Sequence, residues 1–385
     1  MHDAKYSALC ILHFGLCVVI YLVFTDDWEL RGDGSGDIER IQFAPMQRLL
    51  DIYDRHGVRG TVMAEVMQQL TFRNYQDRFP ELKTLADQWD EHILDAHRRG
   101  HDVQLHIHPQ WSEAEYSYGK WTLDGGWALP KYPAGKAGEM IRECKAYLES
   151  LIRSHDPAYR CRAFRAGASA IGPGPSLLPE LIENGIDLDI SIIDGYRMNT
   201  KNLQIDFTRC DEGRLPYYPT LHDARIMSDK PEAIVCMPLF QFRASRTATA
   251  MHVLSKVLER LAKSRRASTS YADEQWASLD PSPAHKIYEQ VLEPLLKGKH
   301  MAADVGKLGS RFLPQVLPTA RRFARESGLA KYPVVLSNHS KYVNDFDSID
   351  KFVGELAAAP DVKVVPLSEI SQMLESGQLN ALKAH

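Results

Sequence analysis

Short apolar runs alternate along the chain with segments whose apolar residues recur every three or four positions. The first run, Val18–Thr25, is rich in Val, Ile and Tyr and stops abruptly at Asp26-Asp27, which predicts a buried strand. Met46, Leu49, Leu50 and Tyr53 then fall at helical spacing, and Gly57 ends the helix predicted over Met46–His56. Further strands are predicted at Arg59–Glu65, Val103–His108, Cys161–Ala166, Leu188–Ile193, Ile234–Phe240, Val334–Ser337 and Val362–Pro366. Helices are predicted at Glu81–Arg99, Ala137–Arg153, Leu177–Glu183 and Ile349–Ala357. Strands separated by helices argue for a parallel α/β architecture. A (β/α) barrel accommodates this many units, and an open doubly wound sheet has the same periodicity.

Two segments break the alternation. Gln110–Lys136 is rich in Trp, Tyr and Gly and reads as a long loop over one face. Thr247–Glu326 reads as a helical insertion, with helices at Met251–Lys263, Ala284–Leu296 and Thr319–Glu326 and a polar break at Ser264–Ser270. The expected organisation is an N-terminal extension over residues 1–17, then a single barrel over 18–385 with the insertion at about 247–326.

Composition narrows the class. The 385 residues are 44% hydrophobic and 25% charged, an ordinary globular mix that excludes disordered, collagen-like and multi-span membrane chains. A net charge of −4 lacks the basic excess of nucleic-acid binders. The six cysteines contain no CxxC pair, so they indicate neither a zinc ribbon nor a disulfide scaffold, and unpaired thiols in a reducing compartment are expected. Ala8–Phe24 could be a signal anchor. If Val18–Phe24 is a strand, too few apolar residues remain to span a bilayer, so a cytoplasmic protein without a stable span is expected, with anchoring through residues 8–24 as the alternative.

Candidate chemistry gathers where predicted strands end: Asp26 and Asp27, His106 and His108, Arg165, Asp194, and His339. In parallel α/β folds ligands bind at the carboxyl ends of strands, so these residues should converge on one face. On a strand, His106 and His108 point to the same side, and two imidazoles with a nearby carboxylate suit a divalent metal such as zinc. Neighbouring Asp26 and Asp27 point in different directions, so one can bind metal while the other serves as a base. Small residues after Arg165 leave room for its guanidinium to turn inward and hold a carboxylate ionised. His339 is the natural general acid. There is no GxSxG elbow and no GxxxxGK[ST] loop. Gly32-Asp33-Gly34-Ser35-Gly36 lacks the lysine and spacing of a phosphate site and reads as a flexible loop. Trp111, Tyr116, Tyr118, Trp121 and Trp127 could stack on sugar rings, and Trp111, Tyr218 and Asp194 are candidate substrate-binding residues.

In order, Thr25-Asp26-Asp27, His106-Ile107-His108-Pro109, Phe164-Arg165-Ala166-Gly167 and Leu336-Ser337-Asn338-His339 resemble the motifs of the polysaccharide deacetylase superfamily, carbohydrate esterases with a distorted (β/α) barrel. Within it, the run LHIHP followed by an aromatic-rich loop, and the Pro216–Pro219 segment, resemble a branch found in lipopolysaccharide and capsule gene clusters. The resemblance implies Asp26 as base, Asp27 and His108 as metal ligands, His339 as acid and Arg165 as the residue that holds the base. It departs in three places. Gln104 occupies the position four before His108, so His106 must supply the second imidazole; Arg165 is followed by Ala-Gly rather than prolines; and Asp26-Asp27 precedes Trp28 rather than glycine. The implied activity is metal-dependent removal of an N-acyl group, acetyl in the first instance, from an amino sugar, with zinc as cofactor and carbohydrate as partner. The alternative is a barrel that binds carbohydrate without turnover. Glu29 and Asp194 are the next carboxylates to consider as base.

Overall fold

In the computed structural model, which describes residues 18–123, 126–172, 176–263, 292–343 and 345–384, the first apolar run is strand β1, Val19–Trp28. It continues past the expected end at Thr25 and carries both aspartates inside the strand. Asp disfavours strands, but the pairing partners on both sides extend this far: Asp26 sits opposite Asn338 and Val62, and Asp27 opposite His339 and Met63.

The other strands of the central sheet are β2 (Thr61–Glu65), β3 (Asp102–Ile107), β4 (Ala163–Ala166), β5 (Leu188–Asp189), β6 (Val235–Cys236), β7 (Lys331–His339) and β8 (Val362–Val364). Their spatial order is β6-β5-β4-β3-β2-β1-β7, all parallel. β8 pairs with Ile20–Leu22, on the half of β1 that β2 does not reach. The chain beyond β6 bends to meet β7: Leu239 bridges Val335, and Phe240 N donates to Val335 O at 2.8 Å. The sheet is therefore a distorted (β/α) barrel.

Beyond that meeting point the two edges diverge, and the chain at Ala303-Asp304 fills the gap. Ala303 N donates to Phe240 O at 2.8 Å, and Ser337 N donates to Ala303 O at 3.0 Å. This wedge lies in the stretch expected as an insertion. The same stretch contains the strand His300–Ala302, which pairs antiparallel with Gln241–Arg243 just before it, and helices Val305–Phe312 and Val316–Ser327. Residues 1–17, Ser264–Ser270 and most of Ala284–Leu296, on which further expectations rest, lie outside the described residues.

Side-chain alternation divides the core in two. Tyr21, Val23, Met63, Leu188, Val235 and Val335 point into the barrel and pack with Leu367, Ile370 and Met373 of the last helix, Leu367–Glu375. Ile20, Leu22, Phe24, Val62, Leu105 and Leu336 point outward against helices α1 (Ala44–Arg55), α2 (Val66–Tyr75), α3 (Pro80–Arg98) and α4 (Ala134–Arg153). Removing such side chains from water contributes about 1.5–3 kcal/mol each. Toward the amino ends of the strands the inward apolar side chains fill the barrel interior, with buried Thr61, Asp102 and Gln104 among them, and a cavity of about 1390 Å³ opens at the carboxyl ends.

The glycine-rich stretch expected to be flexible is packed. A side chain on Gly32 would come within 2.5 Å of the Trp127 ring, and Gly34, at φ +73°, lies under Trp121 and Leu123. Gln110–Lys136 is not a plain loop either. It contains a hairpin of Glu115–Ser117 with Lys120–Thr122. Among the described residues, no helix is long and apolar enough to cross a membrane, and Cys144, Cys161, Cys210 and Cys236 are unpaired.

Candidate active site

The same alternation that sorts the core decides which polar residues enter the cavity. On β1, Thr25 and Asp27 share the inward parity of Tyr21 and Val23, whereas Asp26 shares the outward parity of Phe24. Asp26 accepts hydrogen bonds from Tyr53 Oη of α1 at 2.9 Å and from Asn338 Nδ2 at 2.6 Å, and it does not line the cavity. Burial raises its carboxyl to about 6, against the opposing effect of those two donors.

Asp27 is the residue that Arg165 holds. Arg165 is buried; its Nη1 pairs with Asp27 Oδ1 and its Nη2 donates to Thr25 Oγ1 at 2.6 Å. The expected Arg165–Asp26 pairing is therefore corrected. A guanidinium inside the barrel can reach only the inward carboxylate of the pair. The other oxygen, Asp27 Oδ2, lies 3.4 Å from His339 Nε2.

Glu29, two residues beyond Asp27, also faces the cavity. Its Oε2 lies 2.5 Å from His108 Nε2 and 3.4 Å from His106 Nε2. All three atoms are buried and face one another, with no other hydrogen-bond partner among the described residues. His106 Nδ1 is 2.9 Å from Arg165 O, so the proton on this ring belongs at Nδ1 and the Nε2 lone pair points at Glu29. Glu65, at the end of β2, completes a buried group of donors, Glu29, Glu65, His106 and His108, that could hold a metal ion. Its oxygens also accept from Gln68 N at 3.2 Å and His108 N at 2.6 Å, so it starts α2 and fixes the His108 backbone at once.

The electrostatics of this group call for a cation. Burial disfavours a charged His106, but Asp27, Glu29 and Glu65 outweigh it and raise the imidazole to about 9. Burial would also raise Glu29, yet Lys341 and His108 hold its carboxyl well below the usual range. Lys341 is itself buried; its Nζ donates to Glu29 Oε1 at 2.8 Å and to Leu30 O at 3.1 Å. Two imidazoles and a carboxylate are the donor set of a catalytic zinc site with an open position. The orphaned Nε2 and Oε2 atoms fit such an ion.

His339, at the end of β7, is fixed from the wedge. Its Nδ1 lies 2.8 Å from Asp304 Oδ2. Asp304 is buried, which would raise its carboxyl, but His339 and Lys307 bring it down to about 2. The residue after β4, Gly167, has no room for a side chain: a Cβ would lie 2.6 Å from Ile107 O and 2.9 Å from the His108 ring.

The aromatic expectations fare differently. Trp127 lines the cavity. Trp111 does not; it is 2% exposed and packs on Phe72 and Trp121, because its short 3-10 turn points it at α2. Tyr116 and Trp121 pack beside it, and Tyr118 is fully exposed. Tyr218 packs against the interior cluster, with its amide on Leu382 O, away from the cavity. Ile193 and Gly195 line the cavity, whereas Asp194 between them turns to pack against Gly213. Glu65, Asp304 and Lys341 were not anticipated as parts of the site, and Glu29 was expected only as an alternative base, not as a metal ligand. The HxH logic, applied to Asp27 and Glu29 two residues apart, would have found that role.

No family model matches the chain, and no curated protein matches it. Solved structures similar to it include one from Mycobacterium smegmatis assigned to the polysaccharide deacetylases, at 15% identity over 96% of this chain and 94% of that one, TM-score 0.48. Another is the allantoinase Puue, at 12% identity over 94% of this chain and 91% of that one, TM-score 0.45. A third is a family 4 acetyl xylan esterase from Clostridium thermocellum with a cobalt ion, at 16% identity over 47% of this chain and 62% of that one, TM-score 0.24.

Proposed function

We propose that the protein is a divalent-metal-dependent hydrolase that removes an N-acyl group from an amino sugar. The observation that carries this reading is the meeting of His106 Nε2, His108 Nε2 and Glu29 Oε2 in one buried pocket with no partner but one another, beside an arginine-held aspartate and a carboxylate-held histidine. The order of the sequence motifs, which resemble those of the polysaccharide deacetylases, suggests the sugar substrate, and a zinc-like ion suits the donor set.

Glu29, His106 and His108 would hold the ion, which when bound would polarise an acyl carbonyl and acidify water. Asp27 replaces Asp26 as the proposed base. Arg165 holds its carboxylate in place, and its other oxygen faces the cavity toward His339. His339 serves as the acid. Asp304 fixes the ring through Nδ1, leaving Nε2 to deliver a proton to the departing amine. Lys341 neutralises and positions Glu29. The use of lipopolysaccharide or capsule sugars is carried over from the motif resemblance alone.

The test combines elemental analysis with release of acetate or formate from N-acylated amino sugars. Activity should vanish with a chelator and return with a divalent ion. Failure of any ion to bind, or hydrolysis indifferent to chelation, would overturn the reading.

A further inference from the structure

We propose that Asn338, on the outer face of β7, positions the acid: it caps the helix that follows Asp304 and so leaves the Asp304 carboxylate free to hold His339. This deepens the deacylation reading and rests on it for the role of His339.

Neighbouring residues of a strand face opposite ways. His339 lines the cavity, whereas Asn338 does not and is 1% exposed. The two polar atoms of its amide have different partners. Nδ2 donates to Asp26 Oδ1 at 2.6 Å, and Oδ1 accepts from Gly306 N at 2.9 Å. Asp26 thereby fixes which way the amide points. With the amide reversed, its NH2 would face the N–H of Gly306 and its oxygen would face the Asp26 carboxylate. The approach to Gly306 is close: a Cβ there would lie 2.6 Å from Asn338 Oδ1.

Gly306 is the second residue of helix α5 (Val305–Phe312), and Asp304 stands at the N-cap position. The first amides of a helix have no partner within it, and an N-cap aspartate ordinarily accepts from the second or third. Asp304 has the extended backbone of a cap, but its side chain makes no such bond. Asn338 Oδ1 takes the second amide instead. The Asp304 carboxylate turns to His339 Nδ1, 2.8 Å away, with Lys307 Nζ at 2.9 Å on the same oxygen. Asp304 Oδ1 is buried with no hydrogen-bond partner among the described residues. On the other side of Asp304 the chain is anchored by Ser337 N, which donates to Ala303 O at 3.0 Å. Without Asn338, the unpartnered amide of Gly306 would compete with His339 for the Asp304 carboxylate.

The test uses the full metal-loaded chain and two substrates, an N-acetyl amino sugar and p-nitrophenyl acetate. An amine needs a proton to leave, and a nitrophenolate does not. Asn338→Ala should lower kcat on the amide at least about tenfold, with KM and bound metal within about twofold of the parent, and should slow the aryl ester no more than about twofold. Asn338→Asp should show the same loss at about pH 8, because two carboxylates then meet. The swapped pair, Asp26→Asn with Asn338→Asp, again sets one amide against one carboxylate and should return kcat to within about threefold of the parent. In an Asp304→Asn background, Asn338→Ala should cost no more than about a further twofold, since its effect passes through Asp304. The proposal is overturned if Asn338→Ala cleaves the amide like the parent, if amide and ester fall together, if the swapped pair stays impaired, or if the effects at 338 and 304 multiply.

A second readout needs no turnover. Amide hydrogen exchange at Gly306, followed by NMR on glycine-labelled protein, should be at least about tenfold faster in Asn338→Ala and near the parent rate in the swapped pair. Unchanged exchange would overturn the capping whatever the activity. A parent chain that releases no acyl group from any N-acyl sugar would count against the deacylation reading, and faster exchange in Asn338→Ala would then leave the capping standing.

Discussion

Replacing Asp26 by asparagine tests the two-sided reading of β1 most directly. The buried Asp26 carboxyl titrates at about 6 instead of 3.8, chiefly because burial disfavours its charge. In the folded state the proton is held more tightly than in the unfolded chain. The contribution to stability is therefore complete below about pH 4, declines as the pH rises through about 6, and is lost above that. The gap between the two values corresponds to about 3 kcal/mol. The asparagine amide does not titrate, can still accept from Tyr53 or Asn338, and escapes the cost of burying a charge. Urea unfolding followed by tryptophan fluorescence, on parent and variant at matched pH, gives the difference in stability. That difference should shift in favour of Asp26→Asn by about 3 kcal/mol between about pH 4 and pH 7.5, with the hydrogen-bond substitution cancelling because it is common to both ends. Activity at about pH 7.5 should stay within about threefold of the parent. A stability difference that is flat in pH would refute the burial argument. A rate loss of a hundredfold or more would make Asp26 the base and refute the assignment to Asp27.

Asp27→Asn should lower kcat by about 10²–10⁴ while bound metal, measured by elemental analysis, is retained. Glu29→Gln and His108→Ala should lose the metal together with activity. Asp304→Asn should lower kcat at least ~10-fold by releasing the His339 ring. It should also remove the acid-side loss of about 2.5 kcal/mol that the Asp304 carboxyl, at about 2 against 3.8, contributes as the pH falls from about 4 to 2; acid denaturation curves of parent and variant compare the two. Gly167→Ala should cost about 1–3 kcal/mol and weaken metal binding, since the added methyl meets Ile107 O and the His108 ring; a thermal melt with and without metal reads both effects.

The parallel α/β architecture was legible in the sequence because buried strands are apolar runs closed by polar residues, whereas the choice of a barrel over an open sheet came from the motif resemblance. The imidazole pair was legible too, since alternation needs no partner to be known. Assigning Asp26 as base followed the motif resemblance, not the alternation; once β1 is seen to continue to Trp28, parity sends Asp26 outward to Tyr53. Asp304 could not be read, because its place depends on a gap between the chain after β6 and β7 that only the closed barrel creates. Lys341 looked like an ordinary loop lysine, and its burial against Glu29 comes from the way β1 and β7 run side by side. Trp111 misled because a large ring serves a core as well as a binding surface, and it went to the core, whereas Trp127 lines the cavity.

The pairing of β1 also bears on the order in which the chain can assemble. Residues Thr25–Trp28 find β2 soon after they are made, but Val19–Phe24 pair only with residues 331–336 and with Val362–Val364. Asp26 and Asn338, bonded in the finished protein, are 312 positions apart. During synthesis the most apolar stretch of the first strand must therefore wait, edges unpaired, for the last part of the chain to emerge. Such an edge is a template for pairing with other chains. A chain truncated before residue 331 should collect in the insoluble fraction or on chaperones even though β2, β3 and their helices are intact, whereas the full-length chain should leave that fraction once β7 is made.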